Sequence, residues 1–416
     1  MELTDNQGCG ASSGMRPMEQ ALELLLARAR AVTAVEPLDT GQALGRVLAE
    51  PLTSRIDVPP WDNSAMDGYA VGSSGLHGGA GRLRVTQRIP AGGRARPLAP
   101  GTAARIFTGA PLPEGADAVV MQEACVRDGD WVRIDAAVAA GENVRRRGED
   151  LRAGDRVLEP GRLLEAQHLG LAASLGLARL RVFRRLRVAI FSTGDELVMP
   201  GAQLAPGQIY NSNQFTLRGL VETLGCEVLN LGIVEDSFEA TCAALSRAAQ
   251  EADLVLASGG VSVGEEDHVK PAMERLGMLE LWQLAIRPGK PLAFGHIGAT
   301  PFIGSPGNPV SLFVTFCLFA RPFIRRMQGV VGDLTPLSLR ARADFDWPRA
   351  GVRREFARAR LEPDDDGQQR VRVHRSRSSG VLSSVTWANG LAVIPENQTL
   401  ERGDMVEFIP FSELLR

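Results

Sequence analysis

The spacing of apolar residues changes along the chain and predicts segments of different secondary structure. Apolar positions recur at helical spacing over residues 15–32, and again over residues 164–175. Residues 40–49 predict a second short helix with Thr40 as its cap. Between about residues 54 and 147, short β-prone runs alternate with glycine and proline. This order predicts a discontinuous helical domain that is interrupted by a β-rich insertion.

From residue 187 to about residue 329, near-continuous apolar runs alternate with amphipathic helical segments. Strands that are buried on both faces give such runs, so the pattern predicts a doubly wound α/β domain. Ligands of this fold class bind at the carboxyl ends of the strands. From about residue 333 onward, short β-prone runs separated by turn residues predict a small β-barrel or sandwich.

Taken together, these segments predict an α/β multidomain protein. A length of 416 residues agrees with this, because a single core seldom grows beyond about 250 residues. The predicted boundaries are 15–53 with 148–183 for the helical domain, 54–147 for the β-rich insertion, 184–332 for the α/β domain, and 333–416 for the last domain.

Composition narrows the class of protein further. With 44% hydrophobic and 23% charged residues, the chain has the profile of a globular protein. A net charge of -3 lacks the basic excess that non-specific nucleic-acid binding requires, so no nucleic acid is expected as a partner. Five widely separated cysteines without a C-x-x-C pair favour neither a disulfide framework nor a zinc site.

Two features bear on localisation. The polar amino-terminal residues lack the basic and apolar regions of a signal peptide. The longest apolar run, residues 309–320, is shorter than the roughly 20 residues that span a bilayer. We therefore expect a cytoplasmic protein without a membrane partner.

Three predicted strands of the α/β domain end in acidic loops. These loops contain Asp195 and Glu196, Glu235 and Asp236, and Glu265, Glu266 and Asp267. Like charges that are held together raise one another's pKa, and a divalent cation such as Mg²⁺ would relieve that conflict. Helix capping by Asp236 or Asp267 is the alternative, with Glu265 and Glu266 on a solvated loop.

Two turns have features of an anion site. In the turn at residues 258–260, two glycines allow backbone amides to approach an anion. Further on, Arg287 and Lys290 flank a Pro-Gly turn, and Lys290 is one of only two lysines among 46 basic residues. A guanidinium and an ammonium meet a tetrahedral oxyanion differently, so this pair favours an oxyanion pocket over a surface turn. The helix start at Asn308 and Pro309 is either another anion site or simply a well-capped helix.

The β-rich insertion and its flank contain further candidates. Asp67, Thr108 and Asp150 lie in polar turns in or beside it. The arginine run at residues 145–147 is either a solvated surface or a phosphate contact.

Eight motifs, in order and approximate spacing, resemble the molybdopterin molybdenumtransferase family, the MoeA and gephyrin E-domain proteins. They are DNSAMDGYAV, RIFTGAPLPEGADAVVMQE, RRRGED, FSTGDEL, LGCEVLNLGIV, SGGVSVGEEDH, RPGKPLAFG and SPGNPVS. The resemblance covers nearly the whole chain from about Met15. It implies an elongated four-domain subunit of a homodimer, with a MogA-like α/β domain, similar to the separate molybdopterin adenylyltransferases, and a carboxyl-terminal β-barrel.

The activity that the resemblance implies is the insertion of molybdate into adenylylated molybdopterin, with a requirement for Mg²⁺ and release of AMP. A molybdopterin adenylyltransferase is a candidate partner. Two alternatives stay open. The α/β domain could itself adenylylate molybdopterin and consume ATP, or the chain could be a gephyrin-like scaffold that binds peptides at the dimer edge.

The family's functional residues fall on matching positions of this chain. The implied catalytic residues are Asp67, Thr108, Asp150, Glu196, Asp236 and Asp267, of which the last three are also the implied Mg²⁺ ligands. The implied binding residues are Ser258, Gly259, Gly260, Ser262, Arg287, Lys290, Ser305, Pro306, Arg358 and Ser379. We expect Asp67, Thr108 and Asp150 to meet the α/β domain across a subunit interface. The chain departs from the family at Arg287 and Gln283, where lysine is frequent, and at His268, where tyrosine is frequent.

Overall fold

The computed structural model describes residues 14–76, 81–135, 137–260 and 268–415. Its contacts divide the chain into two compact units. The first unit combines the chain up to Glu36 with Gly45–Ala49 and everything from Val182 onward, and the second contains Pro37–Leu44 and Glu50–Arg181. The finer division into four domains, with the boundaries given above, stays a prediction.

The amino-terminal helical pattern is only partly realised. Helix α1 (Met18–Ala27) is shorter than the predicted segment. The second predicted helix is wrong, because only a 3-10 turn forms there, over Thr40–Gln42. The Thr40 hydroxyl does not cap it and instead donates to the Leu177 carbonyl at 2.6 Å. Gly45 has a left-handed φ of 71°, and glycines disfavour a helix by about 1 kcal/mol each.

The second unit is rich in β-structure, as predicted. In chain order, the strands and helix of the chain from residue 35 to 183 are β1 (Val35–Asp39), β2 (Leu52–Thr53), β3 (Asn63–Ser64), β4 (Gly68–Val71), β5 (Gly81–Ile89), β6 (Thr102–Ile106), β7 (Ala118–Met121), β8 (Cys125–Asp128), β9 (Trp131–Ile134), β10 (Val144–Arg145), β11 (Arg156–Leu158), α2 (Ala166–Ser174) and β12 (Arg179–Phe183). The main sheet has the order β7-β4-β6-β5-β9-β8, and only β5 and β6 pair in parallel among its described strands.

The α/β part of the first unit alternates strands and helices. Its elements are β13 (Arg187–Thr193), β14 (Leu197–Val198), β15 (Ile209–Tyr210), α3 (Ser212–Thr223), β16 (Glu227–Val234), α4 (Phe238–Glu251), β17 (Leu254–Ser258), α5 (Val269–Leu276), β18 (Gly277–Gln283), β19 (Ile286–Arg287), β20 (Pro291–Ile297), β21 (Thr300–Ser305), α6 (Pro309–Thr315) and α7 (Arg321–Met327). A π-helical segment, Phe316–Ala320, joins α6 to α7. The sheet order is β16-β13-β17-β21-β20-β18, with β16, β13, β17 and β21 parallel.

The central strands are buried on both faces, which explains their continuous apolar runs. Along β13, Val188 and Ile190 pack into one core with α3, α6 and α7. Ala189 and Phe191, on the opposite face, pack into a second core with α4 and α5. The doubly wound α/β prediction is therefore confirmed.

The carboxyl-terminal part forms a closed β-barrel. Its elements are β22 (Leu339–Ala343), β23 (Arg354–Pro363), β24 (Gln369–Val373), α8 (Ser383–Trp387), β25 (Gly390–Ile394), β26 (Met405–Pro410) and α9 (Phe411–Leu414). The order β23-β24-β22-β26-β25 closes because β25 also pairs with β23. Of the two predicted alternatives, the barrel is confirmed. Within the described ranges, no helix combines the length and apolarity that crossing a membrane requires.

Candidate active site

A cleft of about 990 Å³ lies in the first unit, at the carboxyl ends of the parallel strands. Its lining also includes residues of the barrel part. The sequence-predicted residues that line it are Glu196, Ser258, Gly259, Gly260, Arg287, Lys290, Pro306 and Ser379. The loops after the parallel strands β13, β17 and β21 bring Glu196, the turn at residues 258–260 and Pro306 to one edge of the sheet, as expected for this fold class. The other lining residues, Arg287, Lys290 and Ser379, come from the turn between β19 and β20 and from a loop of the barrel part.

The glycine turn after β17 packs closely against the end of β13. Gly259 and Gly260 have φ angles of 85° and 65°, a region that other residues seldom adopt. A Cβ atom on Gly259 would lie 2.9 Å from the Thr193 carbonyl oxygen. The Gly259 amide donates to the Ser305 carbonyl at 3.2 Å, so this predicted phosphate donor is already engaged. The turn is thus held between two neighbouring strands.

A buried polar network supports the turn from below. The Ser192 and Ser258 hydroxyls are 2.7 Å apart, and the Ser192 hydroxyl donates to Asn211 Oδ1 at 3.3 Å. The Asn211 amide donates to Gln214 Oε1 at 3.0 Å, and Gln214 Nε2 donates to Asn230 Oδ1 at 2.7 Å. Buried polar groups that are mutually satisfied fix a single arrangement, so this network holds the ends of β13 and β17 against the start of helix α3.

The turn with Arg287 and Lys290 connects the α/β sheet to the barrel. The Leu284 amide donates to the Lys290 carbonyl at 2.7 Å and closes the turn. Strand β19 pairs with β23, with Arg287 opposite Glu355. Gly289 has a φ of 104°, and a Cβ there would lie 2.5 Å from Thr315 Cγ2. Both cationic side chains are exposed toward the cleft.

The barrel part adds cations that the sequence did not identify. Arg353 and Arg377 line the cleft beside Arg287 and Lys290, so four lining cations face one lining carboxylate, Glu196, among the described residues. This cation excess makes the cleft attractive to anions. The sequence offered little signal for Arg353 and Arg377, because nearly all of the 46 basic residues are arginine.

Arg358 does not line the cleft, although it was predicted to bind there. It is buried, and its guanidinium donates to Ser384 Oγ at 3.0 Å and to the carbonyls of Ser376 and Ser378 at 2.8 and 3.2 Å. Burial lowers the pKa of Arg358, and Arg287 and Arg377 lower it further against the opposing effect of Glu355. Arg358 therefore supports the loop that contributes Ser378 and Ser379 to the cleft.

The start of helix α6 was predicted to be either an anion site or a well-capped helix. Pro309 has no N–H group, and the Val310 amide donates to the Ser379 carbonyl at 3.0 Å. Asn308 occupies the cap position without a side-chain cap bond. Ser305 is buried and Pro306 lines the cleft. The start of helix α6 therefore contacts the barrel loop through the Val310 amide, and it offers fewer free amides to an anion.

Of the three predicted magnesium ligands, Glu196 and Asp236 lie in the described part of the chain. Glu196 is exposed in the cleft, where its carbonyl accepts from the Ile209 amide at 2.8 Å. Asp236 follows strand β16, whose neighbour in the sheet is the strand that precedes Glu196. The cap of α4 is Ser237, whose Oγ accepts from the Ala240 amide at 3.2 Å. Asp267 and Ser262, together with Glu265 and Glu266, lie outside the described residues.

Across the part of the chain that the structure describes, no three His, Cys, Asp or Glu side chains come close enough together to hold a metal ion by themselves. Mg²⁺, however, is commonly held by one or two carboxylates together with substrate phosphates. Glu196 and Asp236, at the ends of neighbouring strands, have the oxygen ligands that this arrangement needs.

In the second unit, the structure brings Asp67 and Thr108 together. One Asp67 oxygen accepts from the Thr108 amide at 2.8 Å and from its hydroxyl at 2.7 Å. These two hydrogen bonds, led by the amide, lower the pKa of Asp67. Asp150 is exposed, and its amide donates to the Val58 carbonyl at 3.0 Å.

The arginine run forms ion pairs within the second unit. Arg146 contacts Asp62 at 2.7 Å, and Arg147 contacts Asp57 at 2.5 Å. Of the two alternatives for this run, a solvated surface with internal ion pairs agrees with these contacts. Polar residues that line the cleft in the first unit but were not singled out from the sequence include Tyr210, Asn213, Arg353, Arg377 and Ser378.

Comparisons with known proteins define the class to which this architecture belongs, enzymes of molybdenum cofactor biosynthesis. Three family models match: the MoeA N-terminal region (domain I and II) at residues 16–176, the probable molybdopterin binding domain at 189–326, and the MoeA C-terminal region (domain IV) at 340–411. A molybdopterin molybdenumtransferase of Haemophilus influenzae is 39% identical over 96% of this chain and 100% of its own length.

A second molybdopterin molybdenumtransferase, from Nostoc, is 39% identical over 88% of this chain and 86% of its own. A crystal structure of a molybdopterin biosynthesis MoeA protein from Pyrococcus horikoshii matches with a TM-score of 0.82 and 30% identity, over 95% of this chain and 100% of that one. The chain belongs to the molybdopterin molybdenumtransferase family, a family of transferases. The resemblance inferred from the motifs is confirmed.

Proposed function

We propose that this protein inserts molybdate into adenylylated molybdopterin and releases AMP, with Mg²⁺ as its cofactor. The observation that supports this most is the cleft in which Arg287, Lys290, Arg353 and Arg377 face the glycine turn and Glu196. Both substrates are anions and repel one another in solution. A rigid cleft with an excess of cations offsets that repulsion and holds the two together.

The cationic turn and the barrel loop form the oxyanion side of the proposed site. Arg287 and Lys290 bind molybdate, with Ser379 and the turn at residues 305–306 beside them. The glycine turn, with Ser258 fixed by the buried network, lines the part of the cleft where the phosphate groups of the nucleotide bind, although its Gly259 amide is engaged with Ser305. Holding the two anions in one cleft places molybdate near the dithiolene sulfurs, which favours transfer of the metal.

The acidic loops form the proposed magnesium side. Glu196 and Asp236 would hold Mg²⁺ together with substrate phosphate oxygens, and Asp267 is the third candidate ligand. Bound Mg²⁺ supplies charge neutralisation and polarises the phosphoanhydride toward hydrolysis. From the family resemblance, Asp67, Thr108 and Asp150 of a second subunit are added to the proposed catalytic set. The two hydrogen bonds from Thr108 stabilise the ionised form of Asp67 and orient its carboxylate, so that it can accept a hydrogen bond from the substrate.

The family resemblance also supports a cytoplasmic homodimer that receives its substrate from a molybdopterin adenylyltransferase. Size-exclusion chromatography with light scattering tests the dimer. Consumption of ATP during the reaction would favour the adenylyltransferase alternative, whereas molybdate-dependent release of AMP without ATP supports the proposed activity.

The oxyanion pocket is tested with Lys290→Ala, assayed by AMP release from adenylylated molybdopterin with magnesium and increasing molybdate. Losing a charge-assisted contact of about 1.5–3 kcal/mol should raise the half-maximal molybdate concentration by roughly tenfold or more. Lys270→Ala is the matched control, because Lys270 is the other lysine and is exposed on helix α5. An unchanged molybdate requirement in Lys290→Ala would refute the pocket.

A further inference from the structure

We infer that Glu355 is a positioning residue of the oxyanion pocket, because it orients the guanidinium groups of Arg377 and Arg287 toward the cleft. The inference rests on the proposed function, since it concerns the same pocket. Neither Glu355 nor Arg377 was identified from the sequence.

Glu355 is a buried carboxylate behind the cleft lining. It lies on β23, is 6% exposed, and pairs in the sheet with Arg287. Its two oxygens accept from Arg377 Nε at 3.1 Å and from Arg377 Nη2 at 2.5 Å, which is the two-pronged geometry of an arginine–carboxylate pair. Glu355 Oε1 also lies 3.8 Å from Arg287 Nε. One carboxylate thus contacts two of the lining cations.

The ring of Trp347 lies against one face of the Arg377 guanidinium, whose edge contacts Glu355. The guanidinium carbon lies 4.0 Å from the centre of the Trp347 ring, and Trp347 itself packs edge-on against Phe345 in the barrel core. A guanidinium has five N–H donors, and two of them are used by Glu355. Arg377 is therefore held in a fixed orientation while three donors remain, and 42% of its side chain stays exposed.

The charges of the arginines around Glu355 indicate what its carboxylate does there. Arg287, Arg358 and Arg377 are close enough to influence one another, and the described contacts of Arg358 go to two carbonyls and a hydroxyl. One carboxylate among three guanidiniums leaves the group positively charged, which suits a dianion. Removing that carboxylate would increase the positive charge and also release two arginine side chains that repel each other.

Glu355 could act through its negative charge or by positioning the arginines, and the two roles predict opposite effects of its removal on anion affinity. If Glu355 acts only through its charge, Glu355→Gln should tighten anion binding, because a repelling negative charge is lost. If Glu355 positions the arginines, the same substitution should loosen binding, because the two-pronged contact is lost. Arg377→Lys separates the effects again, since it keeps the positive charge and loses the planar fork.

The experiment titrates molybdate into the full-length protein by calorimetry and then measures AMP release over a range of molybdate and nucleotide concentrations. We expect the molybdate Kd of Glu355→Gln and of Arg377→Lys to rise about tenfold, the scale of one charge-assisted contact. The KM for adenylylated molybdopterin should change little. Glu362→Gln is the control, because Glu362 lies on the same strand, pairs with Arg372 at 3.0 Å and does not line the cleft.

Tighter or unchanged molybdate binding in Glu355→Gln would overturn the positioning role, as would equal loosening in Glu362→Gln. Should Glu355→Gln not fold, Arg377→Lys decides alone, because its side chain is partly exposed; wild-type affinity in that variant would overturn the role. If the wild type does not bind molybdate, the proposed oxyanion pocket itself is overturned, and the two failures are thus distinguishable.

Discussion

Replacing Gly259 by alanine tests whether the close approach of the glycine turn to strand β13 is needed for the site. The left-handed φ of 85° costs an alanine about 1–2 kcal/mol. The new Cβ would also lie 2.9 Å from the Thr193 carbonyl oxygen. Thr193 is buried in β13 and pairs with Val234, so its carbonyl cannot move freely and the turn itself must shift.

Together, the backbone strain and the close contact amount to about 2–3 kcal/mol. In a unit as large as the first one, this loss of unfolding free energy lowers Tm by roughly 5 °C. The displaced turn should also separate Ser258 from Ser192, whose hydroxyls are now 2.7 Å apart, and reduce AMP release at saturating molybdate. Differential scanning calorimetry and the AMP assay measure the two effects.

Gly367→Ala is the matched control for the Gly259 experiment. Gly367 has a φ of 76°, and nothing lies within 4 Å of the position of its Cβ. This variant therefore bears the backbone strain alone, about 1–2 kcal/mol, in a turn of the barrel away from the cleft. Equal stability of the two variants, with full AMP release by Gly259→Ala, would refute the reasoning.

Two further predictions follow from pKa shifts. Burial raises the pKa of Asp253, but its bonds to Arg184 and to the Arg187 amide lower it more, so that the folded pKa lies below the ordinary value. Asp253→Asn should therefore destabilise the protein at about pH 7, and the difference from wild type should shrink as pH falls toward about 3, as urea unfolding can measure; a constant difference would contradict the shift. Thr108→Val removes the hydroxyl donor to Asp67, so we expect the pKa of Asp67 to rise toward its ordinary value. The acid limb of the pH profile of AMP release should then move to higher pH. If the limb does not move, the ionisation of Asp67 plays no part in the reaction.

The parts of the site that could be predicted from the sequence are those whose geometry depends on residues adjacent in the chain. Gly259 and Gly260 were identified because glycine lets backbone amides approach an anion, and the Pro-Gly turn at residues 288–289 because it fixes local geometry. Asp67 and Thr108 were candidates from their polar turns, but the hydrogen bonds that join them across 41 residues were not predicted. The wrong prediction at Thr40 has the same origin, because its partner Leu177 is 137 residues away.

The sequence by itself determined the order of strands and helices in the α/β part, because strands buried on both faces must be apolar throughout and helices must be amphipathic. It also determined the family, through motifs that span the chain. Only the tertiary structure decided which cations meet in the cleft. Arg377 joins Arg287 there because β19 pairs with β23 and the barrel closes, and such long-range pairing leaves no periodic pattern among neighbouring residues.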